Sequence, residues 1–183
     1  MKRAVVIGCP GSGKSTFARA LAEATGLPLY YPGRLYWNAD RTTVSAAVFL
    51  ERLRQAMEGE AWILDGNYQS TMTMRLEACD TVFFLDYPVE LCLAGIRARR
   101  GKARADLPWV EEAGREDPDF EAFVRGYRDV NRGEVLEMLG RLTHREIWVF
   151  RSREEAAQYL AGRKCPGRVP EQPPISAERG RRT

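Results

Sequence analysis

A glycine-rich stretch near the N-terminus has the residue types and spacing of a phosphate-binding turn. Glycines allow backbone angles that point successive N–H groups at one anion, and the lysine after them adds a full positive charge. The hydroxyl next to the lysine can bind a divalent cation on the same phosphates. The stretch follows an apolar run and precedes a helical pattern, so the helix N-terminus faces the anion. We predict that the phosphates of ATP are bound by Gly8, Pro10, Gly11, Ser12, Gly13, Lys14, Ser15 and Thr16.

A nucleotide site of this kind needs a carboxylate on the side of the metal ion, and two apolar runs end in aspartate. Asp65 is followed by Gly66, which permits a sharp turn that leaves the carboxylate facing the phosphates. Asp86 is followed by Tyr87 and Pro88, a pattern common in turns. We therefore predict that Ser15 and Asp65 hold Mg²⁺, the alternative being that Asp65 only ends its strand.

A basic stretch follows the fourth predicted strand, and its arginines are candidates for a lid over the phosphates. The stretch from Arg97 to Arg104 contains five cationic side chains, and Arg115 follows shortly after. Cations of this kind neutralise the charge that develops during phosphoryl transfer. We predict a short arginine lid at about residues 101–118. The alternative is a solvated basic loop after a helix C-terminus.

The rest of the chain alternates short apolar runs with amphipathic segments. This alternation predicts an α/β fold of three layers, with helices on both faces of one five-stranded parallel sheet. A polar loop at 33–42, which contains Tyr36 and Trp37, interrupts the pattern. Predicted strands lie at 4–8, 28–31, 61–65, 81–86 and 146–150, and predicted helices at 14–25, 44–58, 70–78, 89–100, 120–142 and 153–162.

Length and composition exclude several other classes of protein. The 183 residues suit one domain, and no apolar run approaches the roughly 20 residues of a membrane span. One histidine, His144, excludes a site built from several histidines, and the four cysteines show no CxxC spacing. We expect a reduced, cytoplasmic protein with no membrane partner.

The net charge of +3 is unevenly distributed. Residues 163–183 contain six of the 28 basic and two of the 25 acidic residues, together with four of the ten prolines. The other residues therefore hold 22 basic and 23 acidic side chains. We expect a domain at 1–162 and a flexible tail rich in proline and arginine at 163–183. Such a tail gives weak support to contact with nucleic acid.

Several blocks of the chain, taken together, resemble the adenylate-kinase-like P-loop kinases, and most closely the bacterial topology modulation protein family. The resemblance covers roughly residues 1–160. The residues that carry it lie in the blocks Ile7–Ala18, Leu35–Trp37, Trp62–Tyr68, Arg75–Asp80, Phe84–Pro88, Leu91–Leu93 and Arg99–Arg104.

This resemblance implies ATP and Mg²⁺ as ligands, and an acceptor-binding region at about 33–58. It also implies that Arg99 contacts phosphates at the base of the lid, with Arg115 and Arg132 as lid or post-lid arginines. Three positions differ from the family's pattern: relatives usually carry aspartate at Gly33, and often arginine at Ser70 and Gly95. These differences could weaken acceptor activation, acceptor phosphate binding and base stacking.

The sequence therefore predicts an ATP-dependent phosphotransferase, similar to nucleoside monophosphate kinases, that moves the γ-phosphate of Mg·ATP to a small acceptor. The expected catalytic residues are Lys14, Asp65, Arg99, Arg104 and Arg115. The alternative is a nucleotide-binding regulatory or DNA-associated protein with little kinase activity, which the three differences and the basic tail would favour.

Overall fold

The five apolar runs predicted as strands lie side by side in one parallel sheet. The computed structural model describes residues 1–110, 117–162 and 168–169. Its strands are β1 (Arg3–Gly8), β2 (Leu29–Tyr30), β3 (Trp62–Asp65), β4 (Thr81–Leu85) and β5 (Glu146–Phe150), in the order β2-β3-β1-β4-β5. The predicted five-stranded parallel sheet is confirmed.

A sixth strand, which the sequence did not predict, extends the sheet. β6 (Arg168–Val169) pairs antiparallel with β5. It lies in the predicted flexible tail. Residues 163–167 and 170–183 lie outside the described residues, so flexibility of that tail stays a prediction.

The position of β1 in the middle of the sheet explains why its sequence is apolar without alternation. Ala4 and Val6 pack in one hydrophobic cluster, whereas Val5 and Ile7 pack in another on the opposite face. All four side chains are fully buried. A parallel strand covered by helices on both faces needs such a continuous run.

Helices cover both faces of the sheet and give the predicted three layers. They are α1 (Lys14–Thr25), α2 (Pro32–Tyr36), α3 (Ala46–Met57), α4 (Met72–Ala78), α5 (Val89–Arg99), α6 (Pro118–Gly140) and α7 (Arg153–Leu160). Apolar residues of α1, α5 and α7 belong to the first cluster, and those of α3 and α4 to the second, while α6 contributes to both. Among the described residues, no helix is long and apolar enough to cross a bilayer.

Helix α2 corrects one expectation, because residues 33–42 were predicted to be a loop. Pro32 begins this five-residue helix, where its missing N–H costs nothing. The chain then reverses between Trp37 and Thr43, which form an isolated antiparallel bridge. A helix of five residues is too short to show the periodicity that predicted the longer ones.

Helix α5 packs directly on the glycine-rich turn between β1 and α1. A Cβ at Gly95 would overlap the carbonyl oxygen of Gly11, and a Cβ at Gly11 would overlap the carbonyl oxygen of Cys92. Two glycines without side chains therefore let the backbones of the turn and the helix touch. This contact fixes where the turn lies relative to the sheet.

We predict that Gly95→Ala destabilises the protein by about 1–3 kcal/mol, because the added methyl group forces α5 away from the turn. Gly126→Ala is the matched control, since a Cβ at this position in helix α6 meets nothing within 4 Å. Alanine there should stabilise the protein by roughly 0.5–1 kcal/mol. Urea unfolding of the two variants measures both effects. Equal stabilisation by both substitutions would contradict the close contact.

Candidate active site

The turn between β1 and α1 has the backbone shape of an anion-binding nest. Gly11 and Gly13 have φ values of 85° and 93°, in the left-handed region that glycine adopts at low cost. Lys14 begins α1, and its Nζ donates a hydrogen bond to the carbonyl of Cys9 at 3.0 Å. Burial lowers the pKa of Lys14, and the nearby Asp65 carboxylate partly offsets this effect. The predicted phosphate-binding residues thus come together in one turn.

Asp65 ends β3 beside the glycine-rich turn, because β3 pairs with β1 and Asp65 is in register with Val6. Its side chain is buried, with 3% exposure. Its Oδ1 has no hydrogen-bond partner among the described residues. Burial raises the pKa of Asp65 to about 6, while the charge of Lys14 and a hydrogen bond from Ser15 act in the opposite direction. The carboxylate therefore retains an unused acceptor next to the lysine and the hydroxyl.

The other strand-end carboxylate is already bound. Asp86 accepts two hydrogen bonds from Arg132, both of 2.7 Å, from Nε to Oδ1 and from Nη2 to Oδ2. Arg132 is the residue that the resemblance placed among the post-lid arginines. This paired geometry leaves Asp65 as the better candidate for a metal ion.

Asn67, in the loop after β3, links that loop to the glycine-rich turn through a side-chain hydrogen bond. Its Oδ1 accepts a hydrogen bond from the Gly8 N–H at 3.0 Å, and its Nδ2 donates to the Tyr127 hydroxyl at 3.4 Å. One side chain thus joins the turn, the β3 loop and α6. No role for Asn67 was predicted from the sequence, although the residue lies in one of the blocks that carry the resemblance.

Arg75 holds the loop after β3, a role that was not predicted from the sequence. It lies on α4 and is fully buried. Its guanidinium donates to the carbonyls of Gly66 at 2.6 Å and Tyr68 at 3.1 Å, and also to that of Asn67. Burial lowers its pKa to about 10, and the charge of Asp65 opposes this shift. Arg75 therefore remains charged at neutral pH and holds the loop beside Asp65 in shape.

Of the three arginines predicted to be catalytic, two have positions that can be described. The guanidinium of Arg99 lies over the ring of Phe120, 5.6 Å from its centroid. The charge of Arg99 contributes to the lowered pKa of Lys14, after burial and other groups, which places Arg99 in electrostatic reach of the turn. Arg104 forms an ion pair with Asp106. Arg115 lies outside the described residues.

Two other arginines of the basic stretch at 97–104 form ion pairs with α6. Arg97 and Arg100 both form ion pairs with Glu121, at 2.6 and 2.9 Å. These contacts join the end of α5 to the start of α6. The density of positive charge in this stretch therefore serves partly to dock two helices.

The loop after α5 lies on α2. The Arg34 side chain donates to the carbonyl of Ala105 at 3.4 Å, and the rings of Trp37 and Trp109 meet edge to face at 5.4 Å. A Cβ at Gly33 would overlap the carbonyl oxygen of Asp106 and lie 3.0 Å from the Tyr68 hydroxyl. The predicted lid therefore contacts the predicted acceptor region.

Two of the three differences from the family pattern have a packing explanation. A side chain at Gly33 or Gly95 would overlap backbone oxygens, of Asp106 and Gly11 respectively. In this chain the two glycines therefore permit close backbone contacts that a side chain would prevent. Ser70, the third difference, is exposed, and nothing in the structure explains it.

Solved structures similar to this chain include several kinases. Shikimate kinase from Acinetobacter baumannii, in complex with shikimate, is 20% identical with a TM-score of 0.58, and the match covers 88% of this chain and 89% of that chain. Shikimate kinase from Bacteroides thetaiotaomicron is 16% identical with a TM-score of 0.56, over 88% and 95% of the chains. Deoxyadenosine kinase from M. mycoides, with bound dATP, is 14% identical with a TM-score of 0.51, over 87% and 97%.

No protein-family model and no curated protein sequence matches the chain. At these low identities the structural similarity establishes the fold, which is that of the P-loop kinases. The expected fold class is thereby confirmed. The narrower resemblance to the topology modulation protein family is not.

We predict that binding of Mg·ATP releases a proton from Asp65 near pH 6. A carboxyl with a pKa of about 6 is half protonated at that pH, and a bound cation requires the ionised form. Affinity should therefore fall as the pH drops through 6. Calorimetry at pH 6 in two buffers of different ionisation enthalpy should show about half a proton more released by the wild type than by Asp65→Asn.

At pH 8 the wild-type protein and the Asp65→Asn variant should release the same number of protons. The protons of the nucleotide itself contribute equally to both proteins and cancel in the comparison. Identical release at pH 6 would contradict the assignment of the raised pKa to Asp65.

We predict that Arg75→Met destabilises the protein by roughly 2–4 kcal/mol, because the carbonyls that Arg75 binds lose their donor while buried. Arg54→Met is the matched control on the exposed surface of α3 and should change stability by less than about 0.5 kcal/mol. Urea unfolding measures both. A loss below about 1 kcal/mol for Arg75→Met would show that the loop carbonyls do not depend on it.

Proposed function

We propose that this chain is an ATP-dependent phosphotransferase that transfers the γ-phosphate of Mg·ATP to a small acceptor. The observation that carries the proposal is the convergence of the Gly11–Gly13 nest, Lys14 and the unpaired Oδ1 of buried Asp65. A nest and a lysine alone would suit any phosphate, whereas the carboxylate adds a place for the cation that accompanies a triphosphate.

The residues at the turn fit the binding of ATP. The amides of Gly11, Ser12 and Gly13, with those of Lys14, Ser15 and Thr16, would donate to the phosphates, and Lys14 would neutralise the β- and γ-phosphates. Gly8 and Pro10 shape the entry to the turn. At present Lys14 binds the Cys9 carbonyl, a neutral partner that a phosphate oxygen can replace without leaving a charge unpaired.

The residues also fit Mg²⁺. The buried Oδ1 of Asp65 has no hydrogen-bond partner among the described residues. A hydrogen bond from the Ser15 hydroxyl acts to lower the pKa of Asp65, so the two oxygen ligands lie close together. Hard cations such as Mg²⁺ bind through oxygens of this kind. Bound there, Mg²⁺ would neutralise negative charge on the phosphates. Ser15 and Asp65 are the ligands that we propose.

Arg99, Arg104 and Arg115 are proposed to stabilise the transferring phosphoryl group. Support for Arg99 is its electrostatic effect on Lys14, and support for Arg104 is its electrostatic effect on Asp65. The proposal for Arg115 rests on the resemblance. Fixed cations near a phosphate stabilise charge that grows in the transition state without having to reorganise.

A catalytically weak nucleotide-binding regulator is the alternative, and its support has become smaller. It rested on three differences from the family pattern and on the basic tail, yet Gly33 and Gly95 have packing reasons. The narrower assignment to the topology modulation protein family is part of the proposal, supported by the Asp65–Tyr68 and Leu35–Trp37 blocks. ATP consumption that rises when a small acceptor is added distinguishes the kinase from the regulator.

We predict that Lys14→Ala lowers acceptor-dependent ATP consumption by at least roughly 100- to 1,000-fold, because a charge aimed at the transferring phosphate is lost. Lys2→Ala, at the exposed N-terminus, is the matched control and should keep wild-type turnover. A coupled ADP assay with each variant measures the effect. Undiminished turnover by Lys14→Ala would reject the assignment.

A further inference from the structure

Strand β1 continues beyond the point where its neighbour β3 ends. The last paired residues of the two strands are Val6 and Asp65. The Gly66 N–H still donates to the Val6 carbonyl at 3.0 Å, but the chain then turns away at Gly66, whose φ is 139°. On its other side β1 stays paired with β4 as far as Gly8. The backbone ladder with β3 therefore ends before it reaches the Gly8 N–H.

The Asn67 side chain binds this N–H in place of a strand backbone. Its Oδ1 accepts the Gly8 N–H at 3.0 Å. Because a backbone N–H can only donate, the amide oxygen must face Gly8, which leaves the amide nitrogen to donate on the other side. There Nδ2 donates at 3.4 Å to the hydroxyl of Tyr127, a buried residue of α6. The two ends of one amide are thus bound to two different elements.

The backbone of Asn67 is also fixed. Arg75 donates to the carbonyl of Asn67 and to the carbonyls of both its neighbours, Gly66 and Tyr68. Arg75 is fully buried, and the removal of a guanidinium from water is costly unless its donors are used. An asparagine that is held at its carbonyl and at both ends of its amide has one orientation.

Gly8 leads directly into the contacts that hold Lys14. The next residue, Cys9, accepts two hydrogen bonds on its carbonyl, from the Ser12 N–H at 3.1 Å and from the Lys14 Nζ at 3.0 Å. The Asn67 contact therefore helps to fix the peptide to which both the nest and the lysine are bound.

Helix α6 contacts the same two residues at the start of the turn. Tyr127 reaches Gly8 through Asn67, and one helical turn earlier the carbonyl of Val124 accepts a hydrogen bond from the Cys9 thiol at 3.9 Å. The ion pairs between the end of α5 and the start of α6 join this helix to the basic stretch of the predicted lid. A displacement of α6 would therefore be transmitted to the beginning of the turn.

We propose that Asn67 is a positioning residue for the triphosphate of the nucleotide, and that Tyr127 makes nucleotide affinity depend on the position of α6. This inference rests on the proposed phosphotransferase function and concerns the same site. Asn67 acts through the Gly8 N–H and not by contact with the nucleotide. A turn that is held in its binding geometry beforehand loses less conformational freedom when the phosphates bind.

Calorimetry with Mg·ATP on the full-length protein tests the proposal. Asn67→Ala removes both hydrogen bonds and should raise the Kd for Mg·ATP about tenfold. Asn131→Ala, at a half-buried asparagine of α6, is the matched control and should keep the wild-type Kd. The Kd is measured where urea unfolding shows each variant to be fully folded, so a loss of stability alone leaves it unchanged.

A second substitution tests the link to α6. Tyr127→Phe removes one hydroxyl and should raise the Kd for Mg·ATP about threefold. In the Asn67→Ala background the same change should have no effect on the Kd, because the hydroxyl acts through Asn67. Tyr30→Phe, at an exposed tyrosine of β2, is the control. Equal effects of Tyr127→Phe in both backgrounds overturn the link, and so does a wild-type Kd in Tyr127→Phe, whether or not Asn67→Ala folds.

Inorganic tripolyphosphate with Mg²⁺ shows which part of the nucleotide is affected. Asn67→Ala should weaken its binding by the same factor as that of Mg·ATP, because the effect acts at the phosphates. Weakening confined to Mg·ATP overturns the proposal, and so does an unchanged Kd in Asn67→Ala when the wild type binds normally. A wild-type protein that binds no Mg·ATP contradicts the proposed function itself.

Discussion

The opposite charges of Lys14 and Asp65 are the electrostatic interaction on which the site depends. A buried carboxylate costs several kcal/mol unless positive charge lies near it, and here the lysine at the start of α1 supplies that charge. The strand order allows this interaction, because β3 lies beside β1, out of sequence order, and brings Asp65 to the edge of the sheet where the turn after β1 leads into α1. The strand order is thus a condition for the two charges to act on each other.

Arg75, on α4, is a second cation that interacts electrostatically with the Asp65 carboxylate. It binds the carbonyls of Gly66 and Tyr68, and its charge is favoured by the same carboxylate that favours Lys14. Two cations therefore act on Asp65 from different elements, one from the phosphate-binding turn and one from α4. The loop between β3 and α4 is consequently held by charge as well as by packing, which keeps Asn67 where it can bind the Gly8 N–H.

Most of the fold could be predicted from the sequence, because buried parallel strands have continuous apolar runs and long helices have periodic apolar residues. Two elements were missed: α2, whose five residues carry no period, and β6, whose two residues carry no pattern. The residues of the glycine-rich turn and Asp65 could be predicted as a site because their spacing is local. The role of Arg75 was missed, since arginine is rarely buried. The close backbone contacts at Gly33 and Gly95 could not be predicted, because they link segments that lie far apart in the sequence.

α5 and the loop that follows it connect the two parts of the proposed site. α5 packs on the glycine-rich turn through Gly95 and Gly11, and the loop after it packs on α2 through Gly33 and Arg34. Asp65 belongs instead to the sheet, at the end of β3. On the proposed function, the segment that contacts the nucleotide-binding turn would therefore also contact the acceptor region. A shift of α5 at the turn would then move the loop over α2, so one continuous stretch of chain couples the two parts of the site.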